Sequence, residues 1–451
     1  MSISLTALAA EPSFYFGVSN AAFQVEGSPQ DSDWRKWTQT SYRDGTPHIW
    51  NHDNAERATD FWNLYDTDFK LAQDTGLNAF RLSVAWERIE PKPGQWNEAA
   101  LDHYVDMIAA MRKRGLEPFV TLQHYVLPLW VSEPGGLTWN DYPARFGEFA
   151  AHVVKRLATD PKSHVIYFMT LNEPNIQVRF GYLDAHKFPP GIDNPNKAVE
   201  ALAGLAKAHI EAVRAVRALG LKDVKMGLAH NWQVFEPLNK SSASDRKIAD
   251  KIDWAFNRAF MEAITTGDIH FEMPHAKPHR EKVKLPAGPM LDYLGINNYG
   301  RSFVTVSHKY PGYVLSDATG NILKNDLGWE LVRTALHDSV KQASRYGFPL
   351  IVTETGVADS AKNDPAGLND KMRQEYLRWN FDTIRQLRAE KVNLFGYIHW
   401  SLTDNFEWAY GLTPRFGLVR IDYKTMARQP RKSLAVYKEL VAEYWKAHAG
   451  R

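Results

Sequence analysis

Cysteine is absent from all 451 residues, which excludes disulfides, thiolate metal sites and thiol nucleophiles together. No run of about 18 apolar residues occurs, so no segment reads as a membrane-spanning helix. An excess of one charge is missing too: 54 lysines and arginines face 52 acidic residues, a net charge of +2, with the signs mixed along the chain. That balance favours neither nucleic acid nor an anionic membrane as partner. The longest basic cluster, 277–284, is broken by Pro278 and Pro286 and reads as a solvated loop. The amino terminus has small residues at Leu8-Ala9-Ala10 but lacks a basic n-region and a long apolar core, so it reads as a cytoplasmic start. The sequon at Asn239 matters only in a secreted chain. No His-Glu-x-x-His motif, Walker loop or dinucleotide fingerprint is present, so no metal and no cofactor is implied. His275 and His279 are four apart, as in helical zinc sites, but Pro274 and Pro278 argue against a helix there.

What is present is apolar surface: 44% of the residues are hydrophobic and 12% of the chain is aromatic, with 15 tryptophans, enough for one large core. No linker or short repeat interrupts the chain. Short apolar runs alternate with segments of helical period, which is the α/β signature. The runs are Phe14 to Ser19, Ala79 to Val84, Pro118 to Gln123, Val165 to Leu171, Lys225 to Ala229, Tyr293 to Asn297, Leu350 to Thr353 and Leu394 to Trp400. Between them, stripes such as Phe61, Leu64, Tyr65, Phe69 and Ala72 recur at three- and four-residue spacing, with Gly76 as a stop. His209 lies on an apolar stripe and reads as packing.

Eight strands suffice for a closed (β/α)8 TIM barrel, but a doubly wound sheet would use the same alternation. The polar residues decide between them. Catalytic groups of a barrel come from the C-terminal ends of several strands, and those ends here read Arg81, His124, Asn172-Glu173, Asn297-Asn298-Tyr299, Glu354 and Trp400. The expectation is a tail over residues 1–12 and one barrel domain over 13–451 with elaborated loops.

Glu173 and Glu354 each follow an apolar strand, the fourth and the seventh, and would face one another across the barrel mouth. Cleaving a glycosidic bond needs two such carboxyl groups, one to protonate the leaving oxygen and one to attack or to activate water; a gap of about 5–5.5 Å means retention and about 6.5–9.5 Å inversion. Arg81, placed at the end of strand two, and the phenol of Tyr299 would keep one of them ionised as the nucleophile. The other, in less polar surroundings, would stay protonated as the acid.

At these residues the chain resembles glycoside hydrolase family 1, the β-glucosidase family, from about Ser13 to about Tyr437. Thr170-Leu171-Asn172-Glu173-Pro174 resembles the family's acid/base motif and Val352-Thr353-Glu354-Thr355-Gly356 its nucleophile motif. The stretches Phe16 to Gly27 and Trp400 to Trp408 resemble its terminal signatures. The resemblance implies Glu173 as acid/base and Glu354 as nucleophile of a retaining β-glycosidase, a β-glucosidase before a galactosidase or fucosidase. It implies Gln24 and Glu407 on the hydroxyls far from the cleaved bond, Trp408 as an indole donor, and His124 and Asn172 on nearer hydroxyls. Trp400 would form an apolar floor, and Trp329 would stand on the leaving-group side. A carboxylate at Glu407 would repel a 6-phosphorylated sugar. The chain departs from the family at His124-Tyr125-Val126, at Thr355 and at Asn298. A transglycosidase would use the same intermediate, and a non-catalytic sugar-binding barrel would usually lack one carboxylate. The oligomeric state is open.

Overall fold

The computed structural model describes residues 14–184, 187–318 and 322–448, so Leu8-Ala9-Ala10 lies outside the described residues. The eight apolar runs are strands: β1 (Tyr15–Ser19), β2 (Ala79–Ser83), β3 (Glu117–Gln123), β4 (Tyr167–Asn172), β5 (Lys225–Asn231), β6 (Tyr293–Asn297), β7 (Leu350–Glu354) and β8 (Leu394–Trp400). They close into a barrel in the order β1, β8, β7, β6, β5, β4, β3, β2, and every pairing is parallel. The expected barrel is therefore present and the open sheet is not.

Both faces of each strand are covered, which is why the runs read as continuously apolar instead of alternating. Tyr15, Phe119, Tyr167 and Ile351 point inward and pack together at the lower barrel. Their neighbours Phe16, Val120, Phe168 and Val352 point outward against the helices, as a period of two requires. Aromatic rings fill the interior: Phe119 stacks on Tyr167 at 4.6 Å and Tyr15 meets Tyr167 edge-on at 5.8 Å. The floor is thus dry and closed, and the open end is the C-terminal one.

Eight helices form the outer layer: α1 (Phe61–Asp74), α2 (Glu98–Lys113), α3 (Tyr142–Thr159), α4 (Pro195–Ala218), α5 (Ala259–Thr266), α6 (Ala335–Ala343), α7 (Lys371–Ala389) and α8 (Lys432–His448). Local chemistry starts several of them. The Asn97 side chain accepts from the amide of Ala100, and Asn194 accepts from that of Lys197 with Pro195 in the first turn, which satisfies amides the helix leaves free. Of the α1 stripe, Phe61, Phe69 and Ala72 are buried, while Leu64 and Tyr65 are half-buried. His209 on α4 is a satisfied core residue, bonded to Thr170 Oγ1 at 2.7 Å and to the Met290 carbonyl at 3.2 Å. His279 stands in a short strand, His279–Lys282, paired with Asp268–Phe271.

The loop after β8 carries Asn405 to Trp408 and is tied down by a buried ion pair. Arg431 grips Asp404 through two bonds of 2.8 and 2.9 Å, and neither side chain is more than 1% exposed. Without Arg431, Asp404 keeps only Arg415 at 3.5 Å as counter-charge, so the loss falls at or below the low end of the about 3–5 kcal/mol that breaking a buried pair costs. Arg431→Met is accordingly expected to lower the urea midpoint of unfolding and to loosen this loop. An unchanged midpoint would show that the pair does not hold it.

Candidate active site

A cavity of about 340 Å³ opens at the C-terminal mouth, lined among others by Gln24, His124, Tyr125, Glu173, Tyr299, Trp329, Glu354, Trp400, Glu407 and Trp408. These include all the expected sugar-contacting residues except Asn172, which is fully buried beneath them. Arg81 is likewise buried. It lies in the middle of β2 and not at its end, so its long side chain must climb to reach the mouth.

Regular alternation would not deliver the carboxylates. On β4, Phe168 and Leu171 face the helices while Met169 faces inward, and the pairing with β5 shifts between Met169 and Asn172. On β7 the pairing with β6 shifts between Val352 and Glu354. Each irregularity re-aims the side chains that follow it. Asn172 and Glu354, the last residues of their strands, thereby turn into the barrel. Glu173 then adopts φ 46° and ψ 64°, a left-handed conformation that costs a non-glycine residue about 1 kcal/mol. Pro174 opens the short helix Pro174–Val178 directly behind it. Beyond Glu354, Gly356 has no room for a side chain: a Cβ would lie 1.9 Å from the Trp400 carbonyl oxygen.

Glu354 sits 2.5 Å from Arg81 Nη1 and accepts from the Tyr299 hydroxyl at 2.8 Å. Arg81 also donates to Asn172 Oδ1 at 2.7 Å. Asn297 Nδ2 bridges Asn172 Oδ1 at 3.1 Å and Glu173 Oε1 at 2.9 Å, and Thr353 fixes the Asn297 amide at 2.6 Å. One hydrogen-bonded chain therefore runs from Glu354 through Arg81, Asn172 and Asn297 to Glu173.

Glu173 takes two further donors that sequence reasoning did not assign: Asn231 at 2.9 Å on Oε1 and the Tyr125 hydroxyl on Oε2. Asn231 was missed because β5 runs two residues past the expected end at Ala229. The departure from the family at Tyr125 was the only visible signal for the other. Burial and the two carboxylates hold the phenols of Tyr125 and Tyr299 well above their usual range, so both remain donors.

The expectation that Arg81 and Tyr299 would keep Glu354 ionised holds in geometry but not in net direction. Burial lifts the Glu354 carboxyl to about 7 against the pull of Arg81, and the charge of Glu173 adds to the rise. Glu407 behaves similarly: burial lifts it to about 8, although Trp400 Nε1 donates to it at 3.2 Å. Glu354 and Asp404 add to the rise. With its carboxyl raised to about 8, Glu407 carries little charge near pH 7, and the expected repulsion of a phosphate weakens.

Two buried polar atoms at this end have no partner among the described residues: Gln24 Oε1 and His124 Nδ1. The Gln24 amide nitrogen is committed to Asn405 Oδ1 at 2.9 Å and the Phe406 carbonyl at 2.8 Å, which leaves its oxygen as a fixed acceptor. Burial and Arg81 push His124 well below its usual value, so the ring is neutral. Its Nε2 faces the Asn172 amide donor at 3.2 Å and accepts, which puts the proton on Nδ1. An acceptor and a donor thus await a polyhydroxylated ligand. Trp400 and Trp408 flank His124 as near-parallel rings at 6.1 and 5.9 Å. Trp329 meets Tyr299 at 6.0 Å on the opposite rim.

The remaining departures lie outside the cavity lining. Thr355 shares a 2.6 Å hydrogen bond with Tyr376, and Asn298 caps the Trp232 carbonyl at 2.8 Å. Both are buried.

The chain is similar to known proteins along nearly its whole length. The family model described as Glycosyl hydrolase family 1 matches residues 10–444. A β-glucosidase from an Agrobacterium species is 32% identical, covering 97% of this chain and 96% of its own. A β-galactosidase from Pyrococcus woesei is 28% identical over 95% of this chain and 96% of its own. Among solved structures, a β-glycosidase from Pyrococcus horikoshii superposes with a TM-score of 0.82 at 32% identity, covering 95% of this chain and 93% of that one. A match along nearly the whole chain, a barrel of the same shape and a paired-carboxylate cavity at its mouth lead to one conclusion: this glycoside hydrolase belongs to glycosyl hydrolase family 1.

Proposed function

We propose that the chain is a retaining β-glycosidase, foremost a β-glucosidase, that cleaves terminal non-reducing β-D-glycosyl residues by double displacement. The observation that carries this reading is the pair Glu173 and Glu354, buried in one cavity and joined through Arg81, Asn172 and Asn297. Glu354 attacks the anomeric carbon while Glu173 gives its proton to the leaving oxygen. The glycosyl ester then neutralises Glu354, and Glu173 takes a proton from the incoming water. Arg81 and Tyr299 favour the ionised form of Glu354 at the moment of attack. Gln24, His124, Asn172, Trp400, Glu407 and Trp408 hold the sugar, and Trp329 lies on the leaving-group side. The names of the relatives, β-glucosidase and β-galactosidase, support the substrate class.

Glu354 and Asp404 both add to the rise of Glu407, so a 6-phosphate would meet acids at that end and is not part of the proposed substrate. The proposal treats residues 13–451 as one domain. A cytoplasmic site of action and a part in cellulose breakdown belong to it as well, tested by cell fractionation and by assays on cellobiose. Among the described residues no helix is long and apolar enough to cross a membrane.

The test is hydrolysis of 4-nitrophenyl β-glucoside, β-galactoside and β-fucoside with the first-formed anomer read by NMR. Turnover with β-anomer released first supports the proposal; α-anomer first would mean inversion. Adding an acceptor alcohol measures how much glycosyl intermediate goes to transfer. Tyr125→Phe removes one donor from the Glu173 carboxylate. A hydrogen bond to a charged group is worth about 1.5–3 kcal/mol, so kcat is expected to fall about tenfold or more with KM little changed. A rise in KM alone would make Tyr125 a sugar contact instead.

A further inference from the structure

The cavity extends past Glu173 along the helix Pro174–Val178 and the turn after it, where Ile176, Arg179, Phe180 and Lys187 form one wall. Arg301, Asp317, Trp329 and Glu330 line the same cavity. This is the side of the proposed proton donor, where the leaving group departs, whereas Gln24 and Glu407 belong to the sugar end.

Nearly every charge here is answered. Arg301 pairs with Glu236 at 3.1 Å and with Glu330 at 3.3 Å, and Asp317 pairs with Lys324 at 2.6 Å. Lys187 stands 3.8 Å from Asp184 and 3.3 Å from the Tyr410 hydroxyl. Arg179 is the exception. Among the described residues its guanidinium has neither a carboxylate at ion-pair distance nor a hydrogen-bond acceptor; its recorded contact is the Phe180 ring, 5.5 Å away. Residues 185, 186 and 319–321 contain no acid. Burial holds Arg179 below the usual arginine value, and Asp184, Tyr313 and Tyr410 offset this only in part. Arg179 is half-buried and shares its charge with no carboxylate of the described residues, so an anion entering the cavity gains a charge-assisted bond without displacing an internal partner. Guanidinium geometry suits a carboxylate through two parallel hydrogen bonds.

We propose that the leaving-group half of the cavity takes an aglycone bearing a carboxylate, which Arg179 binds between Phe180 and the Trp329 rim. This rests on the glycosidase reading above and names the substrate class of that site. A carboxylated phenol and an acidic sugar supply the same chemistry, and the experiment distinguishes them.

The test compares kcat/KM for 4-carboxyphenyl β-glucoside with that for its methyl ester, in the wild type and in Arg179→Gln and Arg179→Lys. Comparing ratios between proteins cancels the intrinsic difference between the two leaving groups. The acid-to-ester ratio is expected to fall about tenfold in Arg179→Gln, as befits a charge-assisted bond, and less in Arg179→Lys, which keeps the charge and loses the fork. Equal ratios in all three proteins would overturn the proposal. Competitive inhibition of the wild type by 4-hydroxybenzoate against methyl 4-hydroxybenzoate gives a reading that does not depend on the variants folding: tighter binding of the acid supports the proposal, equal binding overturns it. Repeating the ratios with β-glucosyl-glucuronic acid against cellobiose shows whether a sugar or a phenol carries the anion. Failure of the wild type on 4-nitrophenyl β-glucoside and on all of these would instead sink the glycosidase reading.

Discussion

Glu354→Ala is expected to lower kcat on 4-nitrophenyl β-glucoside by about 10⁵-fold, the scale on which loss of a nucleophile acts in a preorganised site. The expected signature is rescue. Azide or formate fits the space the carboxylate leaves and attacks the anomeric carbon from that face. The bond to the leaving oxygen breaks as Glu173 protonates it, and the product is the inverted α-glucosyl azide or formate. A β-configured product would place the nucleophile elsewhere, and undiminished turnover would remove Glu354 from the chemistry. Glu173→Ala is the companion. It should slow poor leaving groups far more than nitrophenol, because only the poor ones need a proton as they depart.

Arg81→Gln has the second largest expected effect, about 10³-fold in kcat/KM at neutral pH, comparable to loss of one electrostatic donor in a closed site. The pH profile carries the argument. Burial lifts Glu354 to about 7 even with Arg81 in place, and Arg81 is the strongest influence pulling it down. Removing the guanidinium therefore raises the carboxyl further. Attack needs the ionised form, so the acidic limb of kcat/KM moves to higher pH and part of the lost activity returns as the pH rises. A uniform loss with the limb unmoved would mean that Arg81 acts through Asn172, to which it donates at 2.7 Å, and not through charge.

Both predictions rest on residues that were visible in the sequence, but for different reasons. Glu173 and Glu354 were legible because each ends an apolar run and is followed by a turn residue. Their strand numbers, four and seven, follow from counting. Arg81 was legible as a cation in an otherwise apolar strand, yet it was placed at the strand end when it lies in the middle of β2. Tyr125 drew notice only as a departure from the family pattern. Nothing local announces that its hydroxyl reaches Glu173 across 48 positions. Asn231 was lost with the boundary of β5. Thr355 and Asn298 stood out as departures from the family, and each makes a buried hydrogen bond beside the site.

By itself the sequence determined the eight strands and the helices between them, which are local patterns, and the polar residues gathered at the strand ends favoured a closed barrel over an open sheet of the same alternation. It also determined which acids could do the chemistry. Only the tertiary structure decided where those acids point, because a one-residue shift in pairing on β4 and β7 turns Asn172 and Glu354 inward. It alone decided their protonation, because burial is a property of everything packed around a group: Glu354 and Glu407 both rise while Arg81 and Trp400 oppose them. The solitude of Arg179 is of the same kind. Ion pairing depends on which carboxylates arrive from distant segments, and none of the described ones arrives there.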